Sequence, residues 1–378
     1  MTTRPVVVIA GGGTAGHVLP AVAIANELVA RGVDPASVTF VGGRHGLEKQ
    51  LVPAAGFSLR SVPGRGLPTS MSWRAVPRLG ALAVGIGVCV AAMLRRRPKV
   101  VVSVGGYAAV PCGMAAALLR IPLVVVEPNA VPGRANLLMA RFARVCATGS
   151  AGTGLPREVV TGVPVRREIL AVDVVRDRPA ARAELAIPAD ADMVAVVGGS
   201  LGAGPINDAV AAMVRGVVPP RPTVVYHVTG DRDFARISAL GGPETGFIWH
   251  RVRYEQRIDR LLAAADVVVG RAGASFVAEL AALGIPAVLV PLPGAPGDHQ
   301  THNARAAAAA TGGVVLVQAE LDADSLWARI SELLASRDSR PAQSHAAGGK
   351  SAAGAVVDLL ADFVPGGITS ASASPSAS

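Results

Sequence analysis

Residues 9–20 read IAGGGTAGHVLP, a glycine-rich turn between an apolar run, VVVIA, and the helix-forming stretch VLPAVAIANELVARG. Gly11, Gly13 and Gly16 fit the spacing G-x-G-x-x-G. A glycine turn that opens a helix gathers backbone N–H groups and the positive helix end at one point, which suits a phosphate. A dinucleotide site also needs an acid about 20 residues further on, at the end of the second strand, to bind the ribose. Here that strand ends in TFVGGRHG, with no acid before Glu48, although Arg44 keeps a 2′-phosphate reading open. His17 follows the third glycine directly, where its side chain can face a ligand over the loop.

The same strand, turn and helix grammar repeats outward from this segment. SVTFVGG, KVVVSVGG and IPLVVVEPN are short, Val/Ile-rich apolar runs, as expected of buried parallel strands in βαβ units. The pattern breaks at TGVPVRREI (161–169) and restarts at MVAVVGGSLGAGPINDAVAAMV, followed by PTVVYHVTG, ADVVVGRAGAS and IPAVLVPLP. The expectation is α/β architecture: two tandem Rossmann-like, doubly wound parallel-sheet domains. We place the first at 1–163, the second at 164–340, a C-terminal helix at 341–364 packing back on the first domain, and a disordered tail at 365–378.

Composition narrows the class. The chain has 378 residues, 51% of them hydrophobic and 17% charged, as in a packed protein of two ordinary domains. Cys89, Cys112 and Cys146 stand singly, without metal-ligand or disulfide spacing, which suits a reducing compartment. The N-terminus enters a strand at once, so no secretory signal is expected. The net charge of +9 is uneven: residues 1–163 hold 17 Lys/Arg against 5 Asp/Glu, whereas residues 164–378 hold 19 against 22. A basic first half implies an anionic partner. Nucleic acid is disfavoured, because aromatic residues are only 3% and no binding motif appears. Leu79–Leu94 is an uncharged, mostly apolar stretch followed by Arg95, Arg96 and Arg97. It is short for a bilayer span of about 20 residues, so peripheral contact with an anionic membrane surface is the expectation, against a crossover helix buried on the sheet.

The second half carries its own site candidates. GGSLGAGPIN places Ser200 at a helix entrance, as a phosphate ligand or a simple N-cap. In RAGASFVAELAALGIPAVLVPLPGAPGDHQTHNA a strand ends at Arg271 and a turn opens a helix bearing Glu279, whose carboxylate can accept two ribose hydroxyls. His299, Gln300 and Asn303 begin a further helix and offer polar groups to sugar hydroxyls. GDRDF (230–234) superficially offers the Asp-x-Asp of metal-dependent sugar transferases, but Asp231 is expected to cap a helix.

Taken together, GGGTAGH, VVSVGGYAAVP, EPNAVPGRAN, TGVPVRREI, GGSLGA, RAGASFVAEL and HQTHNA stand in the order found in one family. Over residues 4–364 the chain resembles the peptidoglycan glycosyltransferases that make lipid II from lipid I, the undecaprenyldiphospho-muramoylpentapeptide β-N-acetylglucosaminyltransferases. The resemblance implies GT-B architecture, UDP-N-acetylglucosamine as donor, lipid I as acceptor, no cofactor and no protein-bound metal. It implies a peripheral location on the cytoplasmic side of the cell membrane, and proximity to cell-wall synthesis proteins. By the same resemblance Glu279 binds the ribose, Ala274 and Ser275 face the nucleotide, and Ser200 holds the pyrophosphate with Arg166 nearby. The uracil meets main chain near Glu255. Gln300 and Asn129 touch sugar hydroxyls, and Thr14, Ala15 and Gly16 line the first-domain side. Ala15 replaces a glycine of the commoner pattern, Phe276 a smaller polar residue and Glu255 an aliphatic one.

The implied reaction is displacement at the anomeric carbon with inversion. His17 is the candidate base for the acceptor hydroxyl, or else a binder of the acceptor or loop. Two rivals remain open on sequence: an NADP oxidoreductase, for which the second glycine-loop domain has no use, and a UDP-N-acetylglucosamine 2-epimerase, which would need no basic, apolar first domain.

Overall fold

The structure is a computed structural model that describes residues 6–44, 46–63, 76–199, 202–243, 245–337, 351–364 and 368, with backbone only at 76–78. The chain divides into two compact units, Met1–Arg166 together with Lys350–Ser378, and Arg167–Gly349.

In the first unit the elements run β1 (Val7–Gly11), α1 (Ala15–Ala30), β2 (Val38–Gly42), α2 (Glu48–Ala54), β3 (Ser58–Ser61), α3 (Val76–Arg95) and β4 (Val100–Gly105). They continue with α4 (Ala109–Leu118), β5 (Leu123–Glu127), α5 (Arg134–Ala140), β6 (Val145–Thr148) and β7 (Glu158–Val160). The strands form one seven-stranded sheet in the order β3-β2-β1-β4-β5-β6-β7, every pair parallel. β1, β4 and β5 are buried along their whole length, which is why they read as unbroken apolar runs. Sequential order reverses between β1 and β4, and ligands of open parallel sheets bind at the carboxyl ends of the strands at such a point.

The second unit repeats the plan. It holds α6 (Arg167–Leu170), α7 (Val174–Glu184), β8 (Asp192–Val197), α8 (Gly204–Gly216), β9 (Thr223–Val228), α9 (Phe234–Ser238) and β10 (Phe247–Val252). Then come α10 (Ile258–Ala264), β11 (Val267–Gly270), α11 (Ala274–Leu283), β12 (Ala287–Leu289), α12 (His299–Thr311), β13 (Val314–Val315) and α13 (Ala323–Ala335). Its parallel six-stranded sheet has the order β10-β9-β8-β11-β12-β13, so its own reversal lies between β8 and β11. A buried acid anchors the first helices of this unit to that sheet. Asp266, 3% exposed, accepts the Met193 amide at 2.8 Å and Arg182 Nη2 at 2.6 Å, and pairs with Arg178 and Arg337 as well. Three guanidinium groups around one buried carboxylate satisfy both oxygens, the condition under which burying that charge is tolerable.

The last helix, α14 (Ala352–Ala361), belongs to the first unit and packs on α1. Val356, Val357 and Leu360 are fully buried in the same apolar cluster as Ile24, Ala25 and Leu28. Arg31, just past the end of α1, fixes the register: it pairs with Glu27 at 2.7 Å and Asp358 at 2.5 Å, and donates to Gly354 O at 3.1 Å. The segment 338–350 and the tail from 365, apart from Ile368, lie outside the described residues.

Removing Arg31 strands two carboxylates and a carbonyl in a half-buried seam. Arg31→Met is expected to cost about 2 kcal/mol and to lower the first unit's thermal midpoint by roughly 4–8 °C. Calorimetry that shows a midpoint unchanged within about 1 °C would remove this anchor from the account.

Candidate active site

At the first unit's reversal point two glycine turns close on each other. Gly11 pairs with Gly105 across a register shift between β1 and β4. A Cβ on Gly106 (φ +80°) would sit 2.3 Å from Gly12 O, and one on Gly105 (φ +94°) would sit 3.0 Å from His17 Cδ2. Only glycine permits this approach, because the space a side chain needs holds the other loop and the imidazole. His17, in the first turn of α1, is half-buried; its Nδ1 lies 3.3 Å from Thr14 Oγ1, and Thr14 is the N-cap residue of the helix. Ala15 and Gly16 form the opening turn between them.

The loop differs from an anion cradle in one decisive respect. The Gly13 amide, which a phosphate would claim, donates to the carboxylate of Glu48 at 2.8 Å. Glu48 also accepts the Gly43 amide at 2.7 Å, so it neither reaches a ribose nor leaves the turn electropositive. This answers the first rival reading: a dinucleotide pyrophosphate at this turn would meet an acid behind its principal amide.

Beside it, at the end of β5, a second buried acid organises the EPNAVPGRAN loop. Glu127 is 1% exposed; its Oε1 accepts both the backbone and side-chain N–H of Asn129, each at 2.9 Å. Its Oε2 accepts the Gly133 amide at 2.9 Å and Asn136 Nδ2 at 3.0 Å. Asn136 is tied in turn to Val126 O and to the Ser103 hydroxyl of β4. Asn129 is thereby held in one orientation at the rim of the same crevice.

The second unit builds its reversal point from the same parts. A Cβ on Gly202 (φ +75°) would sit 2.3 Å from Thr229 O, so the third glycine turn presses against the end of β9. Asn207 of α8 locks this contact: its Nδ2 donates to Thr229 O and to Asp233 Oδ2, both at 2.9 Å, and its Oδ1 lies 2.9 Å from His227 Nε2. Burial pushes the His227 pKa down to about 3, so the neutral ring donates from Nε2. Ser200, the expected pyrophosphate ligand, lies outside the described residues. Asp231 is not the cap expected of it. The N-cap of α9 is Asp233, whose carboxylate serves Asn207, while Asp231 faces Arg253 at 3.7 Å on the surface.

Beyond β11, Gly273 caps α11, and Ala274, Ser275 and Glu279 are all buried on that helix. Phe276 is accommodated by Gly270, where a Cβ would come within 2.8 Å of the phenyl ring. Arg271 reaches across to Val290 O at 3.2 Å, Pro291 O at 3.1 Å and Gln318 Oε1 at 2.7 Å, and desolvation lowers its pKa. It is a clamp on the loop before α12 rather than a mobile cation. On α12 Gln300 accepts the Leu292 amide through Oε1 at 3.0 Å. Asn303, expected to meet sugar hydroxyls, is buried and donates to Ala272 O at 3.2 Å, so it ties α12 to the turn before α11. Glu255 accepts the Tyr226 hydroxyl and the Arg257 amide, both at 2.7 Å; burial, with Glu255 adding, raises the tyrosine pKa. Arg166, half-buried, ends the first unit.

Comparison with known proteins decides the family. Residues 7–148 match the glycosyltransferase family 28 N-terminal domain and residues 193–359 its C-terminal domain. A Clavibacter michiganensis protein named UDP-N-acetylglucosamine--N-acetylmuramyl-(pentapeptide) pyrophosphoryl-undecaprenol N-acetylglucosamine transferase is 40% identical over 364 residues, 95% of this chain and 96% of that protein. The chain belongs to this transferase family. A Moorella thermoacetica protein of the same name is 38% identical across 94% of the chain and 97% of its own length. Among solved structures, Acinetobacter baumannii MurG superposes with a TM-score of 0.71 at 26% identity, covering 95% of this chain and all of that one. A UDP-N-acetylglucosamine 2-epimerase from Neisseria meningitidis gives 0.64 at 13% identity, a likeness of fold alone.

Membership sharpens what the crevice must preserve. Gly105→Ala and Gly32→Ala impose the same backbone strain, with φ of +94° and +93°, but only the first meets a side chain. Each is expected to lower stability by about 1–2 kcal/mol, and Gly105→Ala alone to slow transferase turnover, by at least about tenfold. Equal turnover in the two variants would dissociate the His17 position from the reaction.

Proposed function

We propose that the chain transfers N-acetylglucosamine from UDP-N-acetylglucosamine to the 4-hydroxyl of the muramyl sugar of lipid I, with inversion, making lipid II at the inner face of the cytoplasmic membrane. The match to transferases of that name over 95% of the chain carries the reading.

His17 takes the proton from the attacking hydroxyl. Its contact with Thr14 orients the ring, and the glycine of β4 makes room for the Cδ2–Nε2 edge. A base so placed supplies about 10²–10⁴-fold in rate. Asn129, fixed by Glu127, and Gln300, fixed by the Leu292 amide, position sugar hydroxyls without having to be ordered on binding. Glu279 holds the ribose. Ala274 and Ser275 at the head of α11 line the nucleotide, and Ser200 and Arg166 hold the departing diphosphate. Helix N-termini and these donors supply the positive potential that the leaving group needs.

Acceptor access explains α3. Leu79, Val84, Val88 and Leu94 are exposed along it, while Cys89 and Met93 turn inward, and Arg95 and Arg97 are exposed at its end. No helix among the described residues is long and apolar enough to cross a membrane. An apolar stripe ending in arginines suits a helix lying in the interface of an anionic bilayer, where each basic residue adds about 1 kcal/mol. On this reading α3 holds the first unit at the bilayer that carries the lipid-linked acceptor.

Two measurements test the reading. Radiolabel transfer from UDP-N-acetylglucosamine to a short-chain lipid I analogue, with EDTA present, is expected for wild type and to fall at least about a hundredfold in His17→Ala at unchanged UDP affinity. A folded, UDP-binding wild type that transfers nothing would sink the reaction; a His17→Ala variant near normal turnover would sink the base. In flotation assays, Val84→Ser/Val88→Ser/Leu94→Ser is expected to bind phosphatidylglycerol vesicles about tenfold or more less tightly at unaltered turnover of the water-soluble analogue. Undiminished vesicle binding would place the membrane contact elsewhere.

A further inference from the structure

Glu48 is a buried acid for which stability alone gives no reason. It opens α2, is 1% exposed, and forms no ion pair among the described residues. An unpaired buried carboxylate is expensive unless its oxygens are satisfied, and an apolar residue of similar volume would cost less. Its surroundings are backbone: a Cβ on Gly12 would come within 2.6 Å of Oε1, one on Gly42 within 2.6 Å of Cγ, and one on Gly46 within 2.0 Å of Oε2. Glycines from two separate turns thus form a cage shaped to this side chain. Inside it, one oxygen takes the Gly13 amide and the other the Gly43 amide, so the rigid fork of the carboxylate ties the β1–α1 turn to the β2–α2 turn.

The first of those turns leads directly to the chemistry. Gly13 precedes Thr14, whose carbonyl accepts the amides of His17 and Val18 at 3.2 Å and whose hydroxyl lies 3.3 Å from His17 Nδ1. Gly13 itself has φ +94° with nothing within 4 Å of its Cβ position, and its N–H, part of the Gly12–Gly13 peptide, is held by Glu48. We propose that Glu48 is a positioning residue for the transfer: its carboxylate sets the Gly12–Gly13 peptide, which leads into Thr14, and through it the Thr14 hydroxyl and the His17 ring that meets the acceptor. The proposal rests on the reading of His17 as the group that faces the acceptor hydroxyl.

Glu48→Gln keeps the shape of the side chain but sets an NH₂ group against one of the two amides, whichever way it turns. Glu48→Asp keeps both acceptors on a stem shorter by one methylene. Turnover of the short-chain lipid I analogue is expected to fall about tenfold to a hundredfold in Glu48→Gln, and less in Glu48→Asp. UDP affinity by calorimetry is expected to stay within about twofold, because the nucleotide elements lie in the other unit. The double variant Glu48→Gln/His17→Ala distinguishes positioning from general weakening. If Glu48 acts through His17, the double variant is no slower than His17→Ala alone, whereas independent effects multiply. Wild-type turnover and acceptor KM in Glu48→Gln, or a multiplicative double variant, would overturn the proposal. Full activity in His17→Ala beside a loss in Glu48→Gln would overturn the route through His17 while leaving the reaction standing. Should Glu48→Gln unfold below the assay temperature, Glu48→Asp carries the same comparison.

Discussion

Everything in the first unit depends on two backbones being allowed to touch. Where β1 and β4 end, the turn at Gly12 and the turn at Gly105–Gly106 lie closer than any side chain could permit. That contact sets the Gly105 backbone directly against the His17 imidazole at the reversal of strand order. It also explains why the glycines of GGGTAGH and VGGY are placed as they are. They are required by a neighbouring loop as much as by a ligand. The second unit obeys the same constraint with Gly202 against Thr229, so the sheet plan and the close approach recur together.

The braces behind the turns are polar and buried, and they differ between the units. Glu48 and Glu127 sit behind the first unit's loops with carboxylates turned toward backbone amides. In the second unit an amide side chain, Asn207, reaches the strand end, with the neutral His227 on one side and Asp233 on the other. Such buried polar networks add little net stability but restrict the arrangement of the turns they hold, which is what a site with fixed geometry needs.

The fold was legible because parallel strands buried on both faces leave an unmistakable sequence trace. VVVIA, KVVVSVGG and MVAVVGG each became a central strand, and the restart after TGVPVRREI marks the passage to the second sheet. Around the glycine turns the sequence directs attention to displayed side chains such as His17 after the third glycine, and the structure sets that ring beside Thr14 and Gly105. Residues that act on the backbone were hidden. Glu48 registered only as an acid too late in the chain to bind ribose, and Glu127 as the end of an apolar run. Asn303 stands in a motif that reads as a ligand set, and the structure buries it with its amide donating to Ala272 O, a contact between segments 31 residues apart. Asp231 and Asp233 are equivalent caps on sequence, and only the approach of Asn207 from α8 separates them. A lone acid among glycines, as in GGRHGLE, is the one local signal that would have exposed a brace of the Glu48 type.

These contrasts bear on how the two substrates are divided. A glycine turn at a helix entrance is equally available to a phosphate or to a sugar hydroxyl, and spacing cannot choose between them. The electrostatics behind the turn can. In the first unit the Gly13 amide is already consumed by a carboxylate, so a doubly charged diphosphate brought to it would compete with a buried negative charge. A neutral hydroxyl faces no such penalty. The same turn chemistry, with its amide already held by a carboxylate, is therefore better suited to a neutral group than to a diphosphate. One hydrogen bond, from Gly13 to Glu48, separates this turn from a bare phosphate-binding loop.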